Sequence, residues 1–565
     1  MLTVIQPPIS WAPLAWVSLV PFILACSPTS KPKRLALIAY LVSLCYWLGN
    51  LYWIFPITVV GWVALCLYMA ILWPILALCL RYCRRKKLPL FLVVPILFVG
   101  AERSQGLFLG GFFWRFLAHS QYQNITLIQI ADIFGAAGVS FLIAMANGLL
   151  AELILDTRFS ILDTRFWKRV FTVSNLAKTA VVCSALVATI AYGRWRINQS
   201  ERFIEAGPLV ASLQSNIPQS IKSAGEASEQ IFDDLLQKSK ASAQAGAELI
   251  VWPETMVQAT LNPEVLSLIE PSHPWKVFDQ ALRQHSKDTA FVLVGANAGT
   301  VGLQGVDYVL TERYNSAFLY RPDGQQDPKR YDKIHLVLFG EVLPFRKSFP
   351  FLFKLIMKFN PYGFDHSLDA GSKYTVFEMT SPVRNSTTGR AAQTHKFSVI
   401  ICYEATIPKI ARRFALDKHG RKQIDWLVNI SNDGWFVRFK DEQVLPSTEL
   451  GQHAATCVFR AVENRVAILR SVNTGISCLI DSVGRVKNGF LAGTLPPKAM
   501  GRKGVGGWFV DEMPIDKRIT FFSKYGQWLD FCCALGLFVV IIVASFTKFV
   551  QNNKVRRFFV AVAEK

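Results

Sequence analysis

Apolar residues crowd the two ends of this chain and thin out in its middle. Crossing the hydrocarbon core of a bilayer takes about 20 mostly apolar residues in helical form. Seven segments meet or approach that pattern: Trp11 to Cys26, Leu35 to Phe55, Val59 to Leu80, Leu88 to Gly100, Ile133 to Leu155, Thr179 to Tyr192, and Trp528 to Phe546. The fourth and sixth are short and need their flanks to reach across. The aromatic, glycine-containing stretch Phe108 to Phe116 lacks the length and evenness of a span, and reads as interfacial or re-entrant.

From about Gly207 to Ile519 short apolar runs alternate with polar helical stretches. Leu209 to Leu213, Ala247 to Trp252, Ala290 to Gly295, Phe397 to Cys402 and Trp426 to Ile430 read as buried strands, and Ala227 to Ala245 has helical spacing. Strands interleaved with helices predict an α/β or α+β sandwich around a buried sheet. The chain thus divides into residues 1–200, membrane helices with about six spans; 201–519, a water-exposed domain; and 520–565, a last transmembrane helix with a basic cytoplasmic tail.

Composition adds orientation. With 565 residues, 52% of them hydrophobic, the chain is too apolar for an ordinary soluble enzyme. Its formal charge of +21 would suit a nucleic-acid binder, but the cations gather in short runs beside the apolar segments. These runs are Lys31 to Arg34, Arg81 to Lys87, Arg165 to Arg169, and Lys554 to Arg557. No stripe of basic and aromatic residues occurs in the middle, so nucleic acid is not an expected partner. Lys and Arg are retained in cytoplasmic loops. The four runs follow the first, third, fifth and last segments, so all can be cytoplasmic together, which puts the middle on the outer face. The N-terminus then also lies outside. That calls for either a helix upstream of this sequence or a first segment inserting as a reverse anchor; no cleavable signal peptide pattern is visible.

The 11 cysteines show no CxxC spacing, and most sit in apolar segments, where a thiol packs as a small hydrophobe. Neither a disulfide framework, a metal site nor a bound cofactor is expected. Cys402, Cys457 and Cys478 fall in the middle domain.

Three predicted strand ends carry reactive groups. Leu249 to Glu254 is an apolar strand stopped by Pro253 and followed by a carboxylate; Ser398 to Cys402 delivers a thiol; Tyr331 to Glu341 supplies Lys333 and a second carboxylate. Strand ends offer rigid yet accessible positions. A thiol attacks only as thiolate and needs a base or cation nearby. A carboxylate can take its proton and return it to the leaving group, and an ammonium can stabilise an oxyanion. Each residue also has a plainer reading: Cys402 as a core thiol, Glu254 as a solvated strand end, Lys333 as a surface lysine, His335 as a structural hydrogen-bonding residue. The aromatics of Asn432 to Phe436 suit packing as well as substrate contact.

At these residues the sequence resembles a known family. VWPE, YDKIHLVLFGEVLPF, ICYE and NISNDGWF, in this order, are similar to the Glu-Lys-Cys signature of the nitrilase superfamily. With apolar segments on both sides, the likeness is to the apolipoprotein N-acyltransferase family. It extends to Leu213 to Gln219, to Gln452 through Arg465, to Ser471 to Gly475, and to Trp114 to Gly138. The resemblance implies a polytopic α-helical membrane domain plus an αββα-sandwich nitrilase-like domain. It implies Glu254 as base, Lys333 as oxyanion stabiliser and Cys402 as nucleophile, with supporting roles for Glu341, Tyr403 and Glu404. It further implies a phospholipid acyl donor, a Cys thioester, and a diacylated apolipoprotein whose N-terminal α-amine accepts the chain. The expected setting is the bacterial inner membrane, with the catalytic domain periplasmic and the protein a monomer. The chain departs from the family in three places: it has seven segments where eight are usual, Ser220 to Gly225 lacks a tryptophan that commonly follows the Pro-Gln turn, and Trp435-Phe436-Val437 replaces Trp-Phe-Gly. Two other readings stand beside it: a membrane-anchored amidase giving the same thioester to water, and a transporter or scaffold with a degenerate domain. The near absence of charge in the spans weighs against the last.

Overall fold

The computed structural model describes residues 1–106, 110–157, 172–222, 227–305, 307–343, 349–358, 367–381, 392–441 and 443–552. The basic runs at Arg165 to Arg169 and Lys554 to Arg557, the Phe108 end of the aromatic stretch, and residues 223–225 of the Ser220 to Gly225 segment lie outside these.

Among the described residues four helices are long and apolar enough to cross a membrane: Val59–Arg85, Ala136–Asp156, Val173–Phe203 and Trp528–Phe549. They turn large apolar side chains outward, as Val60, Val187, Phe538 and Phe546 show, the reverse of a water-soluble surface. The first of them breaks at Ile71. Pro74 lacks the N–H that would bond the Ala70 carbonyl, so the helical ladder is interrupted there. The expected segment Thr179 to Tyr192 extends on both sides into the 31-residue helix Val173–Phe203. The expected segment Trp11 to Cys26 is not one span. It is a 3-10 turn, Ala12–Val17, and a short helix, Val20–Ala25, with a proline near the start of each; fourteen residues reach only about 21 Å. Leu35 to Phe55 becomes the 19-residue helix Pro32–Asn50. Carboxylates in this region are paired: Glu152 with Lys178 at 2.8 Å, and Asp132 with Arg196 at 2.7 Å.

The middle of the chain builds two sheets. In chain order the strands are β1 Ile204–Gln214, β2 Leu249–Val251, β3 Phe291–Gln304, β4 Asp307–Tyr320, β5 Gln326–Asp332, β6 Phe377–Ser381, β7 Gln393–Ile401, β8 Trp426–Ser431, β9 Arg438–Lys440, β10 Gln443–Leu445, β11 Ala467–Val472, β12 Cys478–Ile480, β13 Ala492–Gly493 and β14 Gly507–Asp516. One sheet runs β13-β14-β1-β2-β3-β4-β5 and the other β12-β11-β8-β7-β6, with β9 and β10 forming a separate hairpin. The central strands β1, β2, β3 and β7, β8, β11 are parallel within their sheets. Parallel strands are covered on both faces, which is why their sequences are nearly unbroken apolar runs. The sheets pack face to face, stitched by Ser212 Oγ donating to the Arg470 carbonyl and Ser471 Oγ to the Leu213 and Val251 carbonyls. Helices Ser228–Gln244 and Pro274–Asp288 cover the first sheet, and Pro408–Ala415 and Thr448–Asn464 the second. The result is an αββα sandwich.

Helix Thr448–Asn464 is buried along its whole length because it lies between the second sheet and the membrane helices. Arg465, at its end, donates to Gln129 at 2.6 Å and to Asp132 at 2.8 Å. A charge-assisted contact of this kind fixes orientation as well as adding energy. The two-sheet domain is thereby fastened to the membrane region.

Candidate active site

Glu254 follows β2 after Trp252 and Pro253, and is 5% exposed. Its backbone crosses so close to β3 that a Cβ on Gly295 would stand 2.6 Å from the Pro253 carbonyl oxygen and 2.7 Å from Glu254 Cα. Only glycine fits there. Glu254 Oε1 accepts from Asn315 Nδ2 at 2.7 Å, and Oε2 accepts from the Asn432 amide at 2.7 Å. Lys333 follows β5, with its amide donating to the Asn315 carbonyl at 2.8 Å. Its Nζ lies 2.7 Å from Glu341 Oε1 and 3.4 Å from Glu254 Oε1. Asn315 Nδ2 also reaches Glu341 at 3.1 Å, so one amide ties both carboxylates.

Cys402 ends β7 and opens a 3-10 turn, Cys402–Thr406, with φ of 51°. A non-glycine residue in the left-handed region is strained and persists only where surrounding bonds over-determine it. Glu404 supplies many of them. Fully buried, it accepts from the Ile401 amide at 2.8 Å on one side and from the Ile334 and His335 amides at 2.8 and 3.0 Å on the other, with the Tyr331 hydroxyl at 2.8 Å. Glu404 therefore clamps the loop bearing Lys333 against the turn bearing Cys402.

Electrostatics give each group its resting state. Burial works against the Lys333 ammonium, yet Glu341, Glu254 and Cys402 hold its pKa above the ordinary lysine value. The Cys402 thiol is pushed well up, first by burial and then by the Glu254 charge, with Lys333 only partly opposing. Lys333 does lower the thiol's pKa, but burial and the neighbouring carboxylates outweigh it. Cys402 rests as a thiol beside the Glu254 carboxylate, an arrangement in which a neighbouring group could take the proton during attack. Such a sulfur, once deprotonated, is a stronger nucleophile than a low-pKa thiolate. Lys222 is a further buried cation: its Nζ donates to Thr255 Oγ1 at 2.6 Å, and burial, opposed by Glu254, lowers its pKa to about 7.

Beneath Cys402 lies a second polar cluster. Asp433, Glu449 and His453 bring their ligand-type atoms within 4.8 Å of one another. Burial would depress His453, but Asp433 outweighs it against the opposition of Arg470, and the imidazolium titrates at about 10. Arg470 Nη2 stands 3.6 Å from Asp433. With both ring nitrogens protonated and a guanidinium alongside, the cluster has the chemistry of an ion-pair network, not of a cation cage.

The membrane face of the site is made by residues 110–116. The Tyr403 hydroxyl accepts from the Phe113 amide at 3.0 Å and donates to the Gly111 carbonyl at 3.1 Å. Trp114 lies parallel to the Tyr403 ring at 6.4 Å and donates Nε1–H to Gln452 at 2.6 Å. His335 also stacks on Tyr403, at 6.0 Å. Phe436 meets Trp53 edge-on at 5.0 Å. The described part of the aromatic stretch is thus the floor on which the turn bearing Cys402 rests.

The six residues singled out in the sequence are gathered here: Glu254, Lys333, Glu341 and Cys402 around one point, with Tyr403 and Glu404 fastening it. Sequence reasoning missed Asn315, Lys222 and the joint role of Asp433, Glu449 and His453. Asn315 had no signal, lying mid-strand in β4; His453 stood in a recognised segment without a role.

Two family models match the chain. One described as Apolipoprotein N-acyltransferase N-terminal domain covers residues 1–149, and one described as Carbon-nitrogen hydrolase covers 209–492. Among curated relatives, the apolipoprotein N-acyltransferase of Geobacter metallireducens is 30% identical, over 96% of this chain and 93% of that protein. Those of Chlorobaculum tepidum and Rhodopirellula baltica are each 26% identical, over 96% and 92% of this chain and 93% and 91% of theirs.

Proposed function

Since this chain belongs to the apolipoprotein N-acyltransferase family, we propose that Cys402, Glu254 and Lys333 carry out its acyl transfer through a thioester. The protein is a membrane-bound acyltransferase that N-acylates lipoproteins. The observation that carries the residue assignment is the placing of Lys333 Nζ between Glu341 at 2.7 Å and Glu254 at 3.4 Å, within electrostatic reach of Cys402.

In the first half-reaction Glu254 takes the Cys402 proton while sulfur attacks an ester carbonyl of a phospholipid. Charge develops on the carbonyl oxygen, where the Lys333 ammonium stabilises it. The ester C–O bond breaks, Glu254 returns the proton to the departing alkoxide, and a lysophospholipid leaves. In the second half-reaction the α-amine of a diacylglyceryl-cysteine attacks the thioester carbonyl. Glu254 accepts the amine proton, the C–S bond breaks, and sulfur regains the proton. The Glu341 carboxylate keeps Lys333 charged and aimed through both steps.

The site opens beside residues 110–116 of the membrane region, which suits substrates delivered from a bilayer. The basic runs favour a bacterial inner membrane with the catalytic domain periplasmic, and they favour the division into 1–200, 201–519 and 520–565. One chain supplies every site group named here, consistent with action as a monomer. A membrane-anchored amidase would share the triad, but the full-length kinship is with acyltransferases. Purified protein given phospholipid and a diacylated lipopeptide should release lysophospholipid and N-acylated peptide in equal amounts. Release of free fatty acid without peptide acylation would contradict the reading.

A further inference from the structure

We propose that His453 is a positioning residue that aims the Cys402–Tyr403 peptide for acyl transfer. The inference rests on the assignment of Cys402 as nucleophile and adds to it.

His453 Nε2–H donates to the Cys402 carbonyl at 3.2 Å. Its other nitrogen, Nδ1, lies 3.3 Å from both Asp433 oxygens and 3.4 Å from Glu449. Those anchors are themselves held: Ser431 Oγ donates to Asp433, and Arg470 approaches it while also donating to Asn429 at 2.8 Å and Cys457 at 2.9 Å. His453 is 1% exposed and Asp433 is fully buried. The ring is therefore fixed from behind, and the one bond it makes forward goes to the backbone of the nucleophile.

That backbone needs holding, since Cys402 sits at φ of 51°. The cis peptide bonds of the described residues lie elsewhere, at Pro7-Pro8 and Gly475-Ile476, so the Cys402–Tyr403 unit is trans and planar. In such a unit the C=O and N–H point in opposite directions. Fastening the carbonyl to buried His453 therefore fixes the Tyr403 N–H on the opposite side of that peptide, away from the His453 ring. A backbone N–H aimed at a developing oxyanion contributes only in the transition state. The charge on His453 strengthens the forward bond, because a donor on a cation bonds more tightly than a neutral one.

The test compares two reactions of one thiol. Acyl transfer passes through a tetrahedral oxyanion; alkylation by iodoacetamide does not. In His453→Leu the rate of Cys402 acylation by phospholipid should fall by about 10² while alkylation of Cys402 falls less than about threefold, with KM for phospholipid unchanged. His453→Gln, which keeps a donor without the charge, should recover acylation to within about tenfold of wild type. Thermal unfolding in detergent is followed for both variants. Equal loss of acylation and alkylation in both variants, or full acylation in His453→Leu, overturns the proposal. Wild-type protein that acylates at a residue other than Cys402 would instead overturn the assignment on which it rests.

Discussion

The Tyr403 hydroxyl accepts the Phe113 amide at 3.0 Å, fastening the residue beside Cys402 to the loop that roofs the membrane helices. One side chain thus belongs to both halves of the molecule. Tyr403→Phe keeps the ring stacking on Trp114 but leaves the Phe113 N–H without its acceptor. Leaving a buried donor unmade costs about 1–3 kcal/mol. The variant should unfold at lower temperature in detergent, and its KM for phospholipid should rise several-fold. An unchanged KM would mean that the loop does not shape the lipid's approach.

Lys333→Arg should lose about 10² to 10³ in turnover. A planar guanidinium cannot take the place of a compact ammonium wedged between Glu254 and Glu341. Single-turnover acylation measures this directly, and wild-type rates would remove Lys333 from the site.

Glu404→Gln should destabilise the fold by about 3 kcal/mol. Whichever way the amide turns, its NH2 meets either the Ile334 and His335 N–H groups or the Ile401 N–H, donor against donor. Thermal unfolding reads the loss, and an unshifted midpoint would show that the clamp contributes nothing.

Stability should fall from neutral toward alkaline pH through His453. Its ordinary value is 6.5 and its folded value about 10, so the folded state binds the proton more tightly. That stabilisation is complete below about 6.5 and is lost as pH rises through about 10. The gap in melting temperature between wild type and His453→Gln should therefore shrink steadily from pH 6 to pH 10. A gap independent of pH would mean that the ring is neutral.

Cys402→Ala should abolish acyl-enzyme formation, while Cys457→Ala, which removes a buried thiol bonded by Arg470, should leave it largely intact. Quantifying the thioester in both variants separates nucleophile from core thiol; equal loss in the two would count against the assignment.

The buried parallel strands were legible because burial on both faces demands unbroken apolar runs, as at Ile250 and Val399. Glu254 and Cys402 stood out because each follows such a run, whereas Lys333 follows the polar strand β5 and stood out only through the motif around it. Asn315 was not, since a polar residue inside a strand announces nothing until its partners from two other strand ends arrive. The Trp11 to Cys26 segment misled because apolar content is local, whereas Pro13 and Pro21 restrict how far each helical turn extends. The thiol's resting state was not legible in the sequence, because it depends first on burial and then on the charges of Glu254, Lys333, Asp433 and Glu341, brought together only by folding.

Peptide mass spectrometry of the purified protein after exposure to phospholipid, before any acceptor is added, addresses the central claim most directly. The account predicts a fatty acyl adduct on the peptide containing Cys402, cleaved by hydroxylamine and discharged on adding a diacylated lipopeptide. An adduct confined to another residue, or N-acylated product formed with Cys402 unmodified throughout, would contradict it.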